Sequence, residues 1–266
     1  MGHTRLGGSL PRSRQWNEVV GLIESGAGAA QIAVAVILAA ERGLNFAADD
    51  KALIEAVWLL TQLPLAAKNN QNYIDFVSEL RSTGLQVSDN PGVMEIVGAF
   101  SDAIDARLIN NIGRTDLGEM AQMAASETLT KVLDAETKSL FGAQPKDVQK
   151  ALATLATNTQ FSRLARQFFA RIFNRCLNYY VSRVLSLQIG EGRRFSTLAQ
   201  QSEFTKALAL HCHEASKIVE TFSGEWFSKT LFENGSISRE KARGFTHIAI
   251  HKLVSELKAG ARENVK

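Results

Sequence analysis

The sequence predicts an all-α protein, with about ten helices packed in an antiparallel, bundle-like array around one long central helix at 160–189. Three observations carry that expectation. Only four prolines interrupt 266 residues, while the strong helix formers Ala, Leu, Glu, Gln, Lys and Arg recur throughout. Apolar residues return at three- and four-residue intervals between recognisable capping residues. Strand-like alternation is almost missing, its best case being the three residues 85–87. The 45% hydrophobic content suffices for a sizeable core, so 14–266 is expected to form a single helical domain, with two packed lobes, 14–142 and 145–266, as the alternative.

Residues 1–13 combine Gly2, Gly7, Gly8 and Pro11 with His3, Arg5 and Arg12, and Arg14 follows. That composition predicts an extended basic arm. A short helix from Arg14 to Glu24 should stop at Gly26. The run GAGAAQ at 26–31 invites a phosphate-loop reading, which fails because no strand precedes it, the third glycine is missing and no Gly-Lys-Ser/Thr follows. The apolar run 27–40 is too short to span a bilayer and reads as a buried helix. Asp49 or Asp50 caps the next helix, whose Leu53, Ile54, Val57, Leu60 and Leu63 share one face until Pro64 bends or ends it. Asn70 or Asn72 starts another, closed by Gly84.

Pro91 reads as a first-turn proline with Asn90 as its cap, opening a helix to about Asn111. Asp116 and Glu119 resemble a capping box for a helix ending at Gly142. Pro145 and Asp147 open a short helix to Thr157. The central helix follows, about 45 Å long at 1.5 Å per residue and stopped by Gly190. Ser202 caps a helix to about Phe222, and Ser238 one to about Ala259. No period of fixed length recurs, which disfavours a solenoid. The stretch 142–144 is the expected lobe boundary.

Cys176 and Cys212 show no paired spacing, so neither a disulfide framework nor a thiolate metal site is suggested. The N-terminus lacks the apolar stretch of a secretory signal, and a cytoplasmic protein without a membrane segment is expected. No G-x-S-x-G or kinase signature is found. His247 and His251 stand at metal-ligand spacing, i and i+4, yet helical periodicity puts them in a charged stripe with Glu240, Arg243 and Lys258. His211 falls on an apolar face and His213 on the opposite, charged one. The surviving metal-site combination, His211 and Glu214 with Asp102 or Asp105, defines a helical metal-dependent hydrolase as the enzyme reading. The preferred reading has no catalytic residue, no metal and no cofactor.

The central helix is rich in arginine and aromatic residues and holds no acid. Taking Arg163 as 0°, Arg166, Arg171, Arg175 and Arg183 fall at about 300°, 80°, 120° and 200°, which encircles the helix. Residues 148–201 carry eight basic side chains against Glu191, while the whole chain is only +3. Acidic residues elsewhere, with Asp102, Asp105, Glu119, Glu127 and Asp134 as candidates, are therefore expected to pair with these arginines. The nucleic-acid surface shifts to Arg193, Arg194 and Phe195 in the following loop, joined by Arg12 and Arg14 of the arm. Trp226, Phe227, Leu231 and Phe232 are too many large apolar groups to leave in water, and serve either as a lid on the core or as a partner interface.

The chemistry in hand favours a non-enzymatic interaction or accessory subunit of a larger intracellular assembly, for which a bacterial antiviral defence complex is one setting. A protein partner or homo-oligomer is then expected. A nucleic-acid-binding protein built on Arg193 and Arg194 is the alternative.

Overall fold

Ser13 accepts a hydrogen bond from Trp16 N and starts the first helix. In the computed structural model, which describes residues 13–111, 115–137 and 144–263, this device recurs along an all-helical chain. The helices are α1 Arg14–Glu24, α2 Ala29–Ala47, α3 Lys51–Asn69, α4 Tyr73–Ser82, α5 Val93–Asn111, α6 Asp116–Glu136, α7 Pro145–Thr154, α8 Asn158–Leu187, α9 Leu198–Ala215, α10 Lys217–Asn234 and α11 Arg239–Glu263. Among the described residues no helix is long and apolar enough to cross a membrane. The arm at 1–13, Arg12 included, lies outside the described residues apart from Ser13, as do residues 142 and 143 of the expected lobe boundary.

Local chemistry accounts for the starts. Asp50 receives Ala52 N and Leu53 N, Asn72 receives Ile74 N, and Thr157 receives Gln160 N. Several boundaries differ from expectation. Thr115, not Asp116, caps α6, because its hydroxyl accepts from Gly118 N while donating to Asp50. Pro91 is buried two residues ahead of α5 rather than in its first turn. Helix α3 runs through Pro64, since losing one i→i−4 donor is outweighed by a helix buried almost continuously from Ala52 to Ala67. The expected helix from Ser202 to Phe222 starts earlier, capped by Thr197 rather than Ser202, and is two helices, α9 and α10, divided at Ser216, whose hydroxyl bonds Cys212 O. Residues 85–87 form a loop in which Leu85 and Val87 are buried.

One connected apolar core takes side chains from all eleven helices. Helix α8 is its axis, packing against α10, α9, α6, α2 and α1. Helices α10 and α6 run antiparallel to it: Asn158 of α8 meets Ser228 of α10 while Arg166 meets Glu220, and Arg171 meets Glu127 of α6 while Cys176 meets Met120. Gly224 allows α10 to approach most closely, since a Cβ there would lie 2.4 Å from Asn158 O. Phe161 stacks on Phe227 in the same seam, ring centroids 4.1 Å apart.

A second seam joins α3 to α11. Glu55, 5% exposed, receives two 2.7 Å hydrogen bonds from Arg239, which also lies 3.5 Å from the Trp58 ring centroid. The Trp58 indole N–H donates to Ile237 O. Trp226 stacks on Phe245 between α10 and α11, and Trp16 packs on Tyr180 between α1 and α8. Each tryptophan thus sits at a different helix junction.

Candidate anion-binding cleft

Three arginines and two amides of α8 lie within one broad stripe. Arg163, Arg166, Gln167, Arg171 and Asn174, with Ala170 between them, recur at three- and four-residue steps, while Leu164, Phe168 and Ile172 turn into the core. This stripe floors a cleft of about 640 Å³. Helix α6 supplies Lys131 to one wall, and α9 and α10 supply Ala209, His213 and Glu220 to the other. Among the described residues, four full cations therefore line it against one carboxylate.

The cations fall into two kinds. Arg166, whose side chain is 18% exposed, bonds Glu220 at 2.8 Å, lies 3.8 Å from Glu214 and donates to His213 O. Arg171 bonds Gln167 O one turn back and lies 3.7 Å from Glu127, which also pairs with Arg175. These arginines tie α6, α9 and α10 to the axis. Arg163 and Lys131 are exposed and have no ion pair among the described residues.

Proton affinities record the resulting field. Burial lowers the Arg171 pKa, against the pull of Glu127, and Arg175 lowers it further. His213 is lowered first by burial and then by Arg166, Lys131 and Arg171, with Glu214 opposing. The cations that disfavour the His213 imidazolium give the cleft a positive field. An adjoining hollow of about 400 Å³ shares Arg171 and Asn174 and continues along α8 past Met120, Met123 and Glu127 to Arg175 and Asn178.

The residues singled out from the sequence are distributed differently. Arg193 is exposed in the loop after α8, but Arg194 turns inward. Its guanidinium donates to Leu22, Ile23 and Ala27 carbonyls at the end of α1 and lies over the Phe195 and Phe204 rings. Phe195 is buried. The two arginines do not form one patch, because capping α1 uses the donors of the second. Arg14 is exposed in the first turn of α1, far along the chain from the cleft residues.

Phe227 is wholly buried, Trp226 and Leu231 are half-buried against the core, and Phe232 is 91% exposed. The group is thus mostly a lid, leaving Phe232 in solvent. Asp102 is exposed, and no cluster of metal-ligating residues occurs among the described residues. His211 is half-buried with Nε2 lacking a hydrogen bond, whereas His247 and His251 are an exposed ring pair at 4.4 Å.

The pairing of central arginines with Glu127 was legible in the sequence; their use of Glu214 and Glu220 was not. Nor was the convergence of Lys131 and His213 on Arg163. The available signal was the stripe 163, 166, 167, 170, 171 and 174, which is diluted when Arg175 and Arg183 are counted with it. Comparisons with protein-family models, curated proteins and solved structures find no match.

Proposed function

We propose that this protein is a non-enzymatic interaction subunit whose α8 cleft holds an anionic group of its partner. The carrying observation is the convergence of Arg163, Arg166, Arg171 and Lys131 on one open cavity with Glu220 as the only lining carboxylate among the described residues. Arg166 and Arg171 are already positioned by Glu220, Gln167 and Glu127, so little order is lost when they meet a ligand. Arg163 and Lys131 have charge to offer at small cost to the fold. The volume lies in the range of small-ligand sites.

Pyrophosphate titrated into the protein at about 50 mM salt, followed through the histidine ring resonances, tests the cleft. The His213 titration midpoint rises as the anion offsets the surrounding cations. Arg163→Gln weakens binding about fivefold, the ~1 kcal/mol of a partly exposed charged contact. An unmoved His213 midpoint at saturating pyrophosphate would end this reading.

A further inference from the structure

The cleft is one half of a longer groove, and its two halves differ. From Arg163 to Asn178 the floor extends about 22 Å at 1.5 Å per helical residue, which matches about seven residues of extended chain at 3.3 Å each. At the Arg163 end, cations dominate and two of them have no carboxylate partner among the described residues. At the other end, Arg171 and Arg175 share Glu127, and the thioethers of Met120 and Met123 enter the wall. Methionine is an adaptable apolar contact, and Met123 is half in solvent.

The amides along the floor distinguish ligands further. Asn178 donates to Asn174 Oδ1 at 2.9 Å, which leaves a donor on Asn174 and an acceptor on Asn178. A peptide backbone offers both a donor and an acceptor at each residue. A phosphodiester backbone offers acceptors alone, and would set its charge against Asn178 Oδ1 and the Glu127 carboxylate. Single-strand binding also draws on stacking aromatics, and no Phe, Tyr or Trp lines either hollow among the described residues.

We infer that the groove takes an extended segment of a partner protein, acidic at the Arg163 end and apolar at the Met123 end. The inference rests on the anion-holding role of the cleft. It adds the class of partner, the length of the recognised segment and its polarity. Glu127 both neutralises the far arginines and discourages a uniformly charged ligand.

The test is fluorescence anisotropy on the full chain at about 50 mM salt. The probes are a labelled heptapeptide with three glutamates at one end and three leucines at the other, made in both orders, an all-glutamate heptapeptide, and a single-stranded DNA of about ten nucleotides. One order of the mixed peptide binds about tenfold more tightly than the all-glutamate peptide and the DNA. Arg163→Gln weakens every probe. Met123→Gln weakens the mixed peptide alone, and thermal melts confirm that both variants fold.

All-glutamate peptide or DNA binding as tightly as the mixed peptide overturns the inference in favour of a general polyanion groove. So does selectivity that survives Met123→Gln. Pyrophosphate binding without any peptide binding overturns it while sparing the cleft's anion role; failure of every probe, pyrophosphate included, removes both.

Discussion

His211 and His213 are neighbours on α9 with different surroundings. His211 is held below its ordinary value of 6.5 by burial, and His213 by burial together with Arg166, Lys131 and Arg171. Both bind a proton less readily in the folded chain than in the unfolded one. Their folded-state penalty is therefore absent above pH 6.5 and grows as pH falls toward the lowered values. Thermal melts should show a midpoint that is flat above neutrality and declines below pH 6.5. His211→Leu should reduce the decline, and an equal decline in that variant would remove His211 from its cause.

Arg193 and Arg194 are indistinguishable as letters, and an Arg-Arg-Phe loop predicts a polar patch. The direction of Arg194 depends on the end of α1, 167 residues away at Ala27, where orphan carbonyls and the negative end of a helix dipole attract a cation. No local pattern carries that information. The apolar face on which His211 sits was legible from its neighbours Phe204, Leu208 and Ala215, but the expected hydrogen bond is not made by its Nε2.

At the scale of elements, two glycines that look alike in the sequence have opposite roles. Gly224 of α10 faces the backbone of α8, so Gly224→Ala forces the most intimate helix pair apart and costs about 2–3 kcal/mol. Gly244 of α11 has no neighbour within 4 Å of an added Cβ, and Gly244→Ala stabilises by up to about 1 kcal/mol through helix propensity. Urea denaturation of the two variants reads both signs. Helices bounded by a cap and a stop, such as α1 and α4, were legible almost to the residue. The α9–α10 break was not, because Ser216 is neither glycine nor proline and helical periodicity continues across it. Pro64 does not end α3 for the converse reason, burial overriding a local breaker.

Across the whole molecule, the helical class and the axial place of α8 were written in composition and periodicity. The cleft was not, because its walls come from four helices, α6, α8, α9 and α10, and their order around the axis is a tertiary fact. The charge asymmetry between 148–201 and the remainder was a true signal of internal pairing. Only part of that positive charge is neutralised within the chain: Arg166, Arg171 and Arg175 meet carboxylates, Arg163 is left to the cleft, and Arg194 is spent on the carbonyls at the end of α1.

The three tryptophans at three junctions make the molecule its own optical reporter. Trp58 lies beneath the Arg239 cation, Trp226 is stacked on Phe245 and Trp16 is tilted against Tyr180, so each indole has a different quencher or ring neighbour that departs when its seam opens. Variants keeping one tryptophan, with phenylalanine at the other two positions, separate the emission of the α1–α8, α3–α11 and α10–α11 contacts. A core shared by all helices predicts coincident unfolding midpoints for the three; an early transition confined to Trp16 would instead mark α1 as a separately melting unit.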